Sequence, residues 1–375
     1  MATSYYYVDP VNGSDANAGT SDATAWQTLS YADATAPNGS SSTIVQINLK
    51  STADHVLTAS HIFGGGGSNG ITMLRGYDSV ANDGGIATID CDQAYGITGN
   101  TWFAAADLYF KNRGVGDFCS NGYSDSTQYY YNCGFNGADG SGISLSNASN
   151  YIVSRCYFHD VKYAVTTQDS FQTFLTSCFI QEGDNNPFPL TALGAEAHNT
   201  SNMVYVKTKS GISSTYNGSR RTLNYNSIFS ESGNTSSGIA MAQNNSHVGP
   251  AYGNAVSGFN GTGGVGLKET GGNYRLRAFV ETVIGDCDTG STTALDREIF
   301  KELPTVVSSS LFQGGVLPSP DVFASDNALF WESVYNFFRP TDALIAEADA
   351  LGRVPGAVQP EASTQLPQRH PLARF

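Results

Sequence analysis

Positive charge is scarce in this chain. Only 19 Lys and Arg stand against 33 Asp and Glu in 375 residues, a formal net charge of -14. A nucleic acid or an anionic membrane would meet general repulsion, which excludes both as primary partners. Long apolar runs are missing too: no stretch of 18 apolar residues occurs, so no helical membrane span is expected. The opening, Met1-Ala2-Thr3-Ser4-Tyr5-Tyr6-Tyr7-Val8, has neither the basic start nor the apolar stretch of a secretory signal. The expectation is a protein that stays in the cell that makes it, or one whose signal has been removed. Good helix formers are outweighed by turn residues, with 41 Gly and abundant Asn, Ser and Thr, which favours many short strands. The six cysteines form no close-spaced ligand motif, so neither a metal nor another cofactor is expected.

What the chain does have is a repeat. Leu108-Tyr109-Phe110, Cys133-Gly134-Phe135, Cys156-Tyr157-Phe158 and Cys178-Phe179-Ile180 begin 25, 23 and 22 positions apart. In each phrase the first and third residues are apolar, the spacing that puts both on one side of a strand. One short strand per period, followed by a polar stretch rich in Gly, Asn and Ser, reads as a solenoid of β coils. Stacked inward, Cys133, Cys156 and Cys178 would be small buried hydrophobes with free thiols. Composition changes little up to about residue 290, which favours one elongated domain.

The N-terminus adds specificity. Tyr5-Tyr6-Tyr7-Val8-Asp9-Pro10 reads as a strand, and Val11 to Thr20 as a turn-rich loop. Trp26, Leu29 and Ala32 then follow at helical spacing, with Trp26 and Leu29 the candidates to plug the open end of the stack. Tyr-Tyr-Val-Asp-Pro followed by Asn12-Gly13-Ser14-Asp15, Ala18-Gly19-Thr20 and Ala25-Trp26-Gln27-Thr28-Leu29 resembles the opening of the pectate-lyase-like superfamily. Ile44-Val45-Gln46-Ile47, Ile71-Thr72-Met73-Leu74-Arg75-Gly76, Ile86-Ala87-Thr88-Ile89-Asp90 and Asp107-Leu108-Tyr109-Phe110-Lys111-Asn112 are similar to its early coils. Asn273-Tyr274-Arg275-Leu276-Arg277 with Asp286-Cys287-Asp288-Thr289-Gly290 is similar to its last. The resemblance spans about residues 5 to 290. It implies an all-β, right-handed parallel β-helix and side-by-side association, normally as a homotrimer. It implies no single activity, since the superfamily holds lyases, hydrolases, epimerases, phage tailspikes and inactive coat proteins.

The expected organisation is an N-terminal strand and cap over 1–35, a parallel β-helix over 36–290, a partly helical capping region over 291–352 and an extended Pro-rich tail over 353–375. Within the third part, Ala328 to Phe338 reads as a helix with Asp326 near its start and Pro340 after its end. Thr341 to Leu351 reads as a second helix, the pair closing the far end of the solenoid. The tail carries Arg353, Arg369 and Arg374 against Glu361, a charge of +2 on a body of -16. Such a tail builds no core of its own, so Arg353, Arg369, Arg374 and Phe375 are the candidate partner-binding residues.

Chemistry on this fold would require basic residues for uronate carboxylates, with Ca²⁺ or a Lys/Arg base, or a carboxylate pair. The chain has seven lysines. It lacks the Asn-Thr-Asp, Gly-Asp-Asp, Gly-His-Gly and Arg-Ile-Lys motifs associated with polygalacturonases. Four residues beyond the start of each repeat stand Gly137, Asp160, Glu182 and, counting from Ser227, Glu231, with Asp184 beyond Glu182. Stacked carboxylates one or two coils apart would lie about 5 or 10 Å apart, near the separations glycosidases use. Asp160, Glu182, Asp184 and Glu231 are therefore the candidate catalytic column, against the plainer reading of a polar turn. Gly64-Gly65-Gly66-Gly67 has no Gly-Lys-Ser/Thr after it and reads as a turn, not a phosphate loop.

These features favour a structural virion protein of a bacteriophage: a tailspike-like β-helix used as capsid decoration or tail component. Its partners would be capsid or tail proteins held through the tail, with a surface glycan as a further ligand, and it would be made in the host cytoplasm. The alternative is a polysaccharide-degrading glycoside hydrolase or lyase, secreted if bacterial. A third reading is a glycan-binding spike without catalysis.

Overall fold

The computed structural model describes residues 1–64, 70–122, 126–146, 150–181 and 316–339, together with short strand segments between 190 and 302. Every strand pairing between successive coils is parallel, and the strands fall into three faces. The first face stacks Ala2–Val8, Thr43–Lys50, Thr72–Tyr77, Trp102–Ala106, Thr127–Tyr131 and Asn150–Ser154, then continues through the end of Tyr157–Thr176. The second stacks His55–Val56, Ala87–Asp90, Leu108–Lys111, the starts of Gly134–Ser146 and Tyr157–Thr176, and Phe179–Gln181. The third stacks His61–Phe63, Ile97–Gly99, Cys119–Asn121 and the later parts of the two long strands. Further rungs extend the second face to Phe300–Glu302. This is a right-handed parallel β-helix, the hand that parallel crossovers take.

The repeat phrases build its interior. Leu108, Phe110, Cys133, Phe135, Cys156, Phe158, Cys178 and Ile180 are all buried in one core cluster. Phe110, Phe135 and Phe158 stack face to face with 5.0 Å between successive ring centroids. Identical spacing along one column lets each ring cover the next, so each buries its apolar surface without a gap. Cys91, Cys119, Cys133, Cys156 and Cys178 are buried free thiols. Burial pushes the Cys91 thiol up to about 12, and drives Cys119, Cys156 and Cys178 well above the ordinary thiol range. As neutral thiols they act as small hydrophobes.

The coils turn at fixed corners. Immediately before each repeat phrase, Asp107, Asn132, Arg155 and Ser177 adopt φ of 56°, 51°, 54° and 54°. Such left-handed backbone favours Asn and Asp among side-chain-bearing residues. Three of these corners are tied to the next coil, with the amides of Asp107, Asn132 and Arg155 donating to the carbonyls of Tyr131, Ser154 and Thr176.

At the N-terminus, Trp26 and Leu29 are buried in the core as plugs. Trp26 lies outside the helix that its spacing suggested: it bridges Val8 in strand fashion, stacks on Tyr6 and donates Nε1–H to the Asn17 carbonyl. Helix α1 is Leu29–Thr35, and the Thr28 side chain caps it by accepting from the Tyr31 amide. Asp9, of the Tyr-Val-Asp-Pro phrase, pins the following loop. Its carboxylate accepts from the amides of Val11 and Asn12, and from Asn12 Nδ2 and Thr52 Oγ1.

Near the C-terminus, α2 (Pro320–Ser325) and α3 (Asn327–Phe337) form a helical hairpin, with Asp326 capping α3 through the Leu329 amide. The helix expected over Ala328 to Phe338 is therefore present, but it does not close the far end of the solenoid. It lies on the outside of the second face, where Phe323, Phe330, Trp331, Val334 and Phe338 bury Tyr109, Tyr157 and Phe179. The physical reason lies in the middle residue of the repeat phrase. Tyr109, Tyr157 and Phe179 point away from the core and need an apolar cover of their own. Pro340 and the segment Thr341 to Leu351 lie outside the described residues.

Candidate functional site

The candidate column rests on the corner four residues beyond each repeat start, and there the backbone dictates the residue. Asn112, Gly137 and Asp160 occupy equivalent places with φ of 57°, 82° and 51°. Asn, Gly and Asp are the residues that tolerate this conformation most readily. Asp160 thus occupies a left-handed corner next to a coil that offers only Gly137. Glu182 and Asp184 lie outside the described residues. Glu231 also lies outside them, and the strand register removes it from the column. Phe179 pairs with Val204 and Val204 with Ser227, so Asn226, not Ser227, takes the place of Cys178. The two intervening coils together span 48 residues, one fewer than the 49 that an alignment on Ser227 requires. The buried Asn226 sits where the earlier coils carry cysteine. Arg353, Arg369, Arg374 and Phe375 also lie outside the described residues.

One position before that corner, the outer surface of the second face carries Lys111, Asn136, His159 and Gln181 in register. Asn136 Oδ1 accepts from His159 Nδ1–H at 2.8 Å, and Asn136 donates Nδ2–H to the Tyr109 hydroxyl at 2.9 Å. The Tyr157 hydroxyl donates to Gln181 Oε1 at 3.2 Å. This polar row borders the hairpin. Burial pushes the Tyr109 and Tyr157 phenols up, so both stay protonated and serve as hydrogen-bonding groups.

On the other side of the hairpin a connected chain of polar groups follows the first corner. Arg75 Nε donates to Asp107 Oδ2 at 2.9 Å, and Asn132 Nδ2 donates to Asp107 Oδ1 at 2.9 Å. Trp331 Nε1 donates to Asn132 Oδ1 at 3.0 Å, and the Arg155 guanidinium lies 5.4 Å from the Trp331 ring. Burial raises the Asp107 carboxyl, and Asn132 and Arg75 oppose that rise. Every member of the chain is committed to another, which fits a latch holding the hairpin.

Among the described residues no group of three or more His, Cys, Asp and Glu is placed to hold a metal ion. No helix among them is long and apolar enough to cross a membrane. No protein-family model matches the chain, and no curated protein matches it either. Two solved structures to which it is similar are pectate lyase Pel9A and a rhamnogalacturonan lyase. The first has a TM-score of 0.40 at 13% identity, over 96% of this chain and 97% of that one. The second has a TM-score of 0.38 at 13% identity, over 96% and 95%. The fold rests on the strand register itself.

The sequence reading overlooked the outward-facing half of the repeat. The signal was present: Tyr109, Tyr157 and Phe179 are large apolar side chains at the position between two inward ones, which a solvated face would not carry.

Proposed function

We propose that the chain is a structural subunit of a bacteriophage virion, a β-helix that works by packing side by side with copies of itself. The observation that carries this reading is an apolar strip along the first face. Tyr5, Gln46, Met73, Ala104, Tyr129, Ile152 and Phe174 form one outward column in continuous register. Tyr5 is 41% exposed and Phe174 38%, Met73, Tyr129 and Ile152 are half-buried, and Gln46 and Ala104 between them are buried. Seven rungs at about 4.8 Å give a strip roughly 29 Å long, apolar at every rung but Gln46, on a protein with a net charge of -14. A second copy bringing the same strip would bury it. A homotrimer, with attachment to capsid or tail proteins through the C-terminal tail, completes the proposal.

The test is the mass in solution. Light scattering on the full chain is expected to give an oligomer, and Tyr5→Asp with Phe174→Asp to shift it to monomer. A wild-type chain that remains monomeric at high concentration overturns the reading. Cleavage of a polysaccharide that Asp160→Asn abolishes would instead establish the glycan-degrading alternative.

A further inference from the structure

The N-terminal cap brings together three residues that the scaffold reading does not use. Ser30 and Asp33 lie one turn apart on α1, and His61 begins the first strand of the third face. Ser30 Oγ is 3.2 Å from His61 Nε2, and His61 Nδ1 is 3.0 Å from Asp33 Oδ2. A carboxylate only accepts, so Nδ1 carries the hydrogen that binds Asp33. In the neutral form of the ring, His61 Nε2 presents its lone pair to the Ser30 hydroxyl. That is the order of contacts in a nucleophilic serine site: nucleophile, base and a carboxylate that fixes the tautomer.

We propose that Ser30, His61 and Asp33 form a serine esterase site at the capped end of the β-helix, acting on a short-chain carboxylic ester such as an acetyl group carried on a larger molecule. Exposure supports the assignment of roles. The His61 side chain is 5% exposed and Asp33 25%, and Phe63 packs beside the imidazole with ring centroids 6.2 Å apart. The base is therefore held, while half-buried Ser30 is reachable from solvent. A nucleophile on the outside of a cap suits an ester presented on a bulky carrier better than a free small molecule needing enclosure.

The atoms balance without a cofactor. Ser30 Oγ bonds to the acyl carbon as its proton passes to His61 Nε2. The ester C–O bond then breaks, and the alcohol leaves with that proton. Water next attacks the acyl-serine, giving up a proton to His61, and the carboxylic acid departs as Ser30 regains its hydrogen. Ser30 and His61 are the catalytic residues. Asp33 is a positioning residue that orients the imidazole and stabilises its charged form.

The experiment uses the full chain with a fluorophosphonate probe, adduct mapping by mass spectrometry, and p-nitrophenyl acetate turnover. One adduct per chain on Ser30 is expected. Ser30→Ala should abolish adduct and turnover, and Asp33→Asn should slow labelling by about 10² to 10⁴-fold with partial recovery in Asp33→Glu. A merely structural Asp33 would leave the labelling rate of the folded chain unchanged. If the wild-type chain leaves Ser30 unlabelled, or Ser30→Ala keeps full turnover, the site is only a tie between α1 and the third face and the proposal fails. Because the wild-type adduct decides, a variant that does not fold leaves the test intact.

Discussion

The first and second faces of the solenoid are built alike, yet their outer surfaces have opposite fates. Tyr109, Tyr157 and Phe179 on the second face are 3%, 0% and 0% exposed beneath the hairpin, whereas Tyr5 and Phe174 on the first are 41% and 38% exposed. The same outward apolar side chains thus serve as an internal socket on one side and as open surface on the other. The difference comes from outside the repeat, from residues 316–339, which follow every described strand of the solenoid. In a β-helix the ladder fixes the interior, and what lies on each flank decides what the molecule can meet.

The comparison breaks most completely at Gly134. A Cβ there would meet Tyr109 Cδ2 at 2.6 Å and Phe323 Cδ1 at 2.7 Å. Gly134→Val is expected to expel the hairpin, at a cost on the order of 4 kcal/mol, and to make the second face as open as the first. Limited proteolysis at α2 and α3 reads this directly, and a variant as resistant as the wild type contradicts it. Next in size is Trp331→Ala, which removes a buried ring and leaves Asn132 without its donor, costing roughly 3 to 5 kcal/mol in denaturant melts. Trp331→Phe keeps most of the ring and should cost about 1 to 2 kcal/mol, chiefly the lost hydrogen bond.

Acid probes the interior. His55, in register with Ile89, is buried, and desolvation lowers its pKa from 6.5 to about 4. The unfolded chain binds the proton first, so this contribution is fully present above pH 6.5 and is lost as pH falls toward 4. The full shift corresponds to about 3 kcal/mol. Melts between these pH values should show the loss, and His55→Gln should flatten it. The smallest effect is expected on the open flank. Tyr5→Asp with Phe174→Asp should change monomer stability by about 0.5 kcal/mol per site or less while abolishing self-association; a large loss of stability would mean the strip is already covered within one chain.

The interior was legible because it obeys a short rule: the first and third residues of Cys133-Gly134-Phe135 and its relatives face inward, and the period repeats. The N-terminal plug by Trp26 and Leu29 was legible for the same reason, since an apolar stack must end somewhere. The hairpin's helicity was readable from Asp326 and the apolar run after it, but its place was not, because local periodicity says nothing about which distant surface a helix covers. Asp160 looked catalytic in a column of letters, and the positive φ it shares with Asn112 and Gly137 shows what a column of letters omits. Ser30, Asp33 and His61 carried no motif at all. The i, i+3 pair looks like any polar helix face until the fold brings His61 across 28 residues of chain to meet it.

A stack of near-identical coils poses a problem of location. Slide a helical hairpin by one rung, about 4.8 Å, and it meets almost the same ladder again. Gly134 removes that ambiguity. Between Tyr109 and Tyr157 it leaves one vacancy in a column of rings, and Phe323 fills it. A side chain that is not there marks a single point on a ruler whose other divisions look alike.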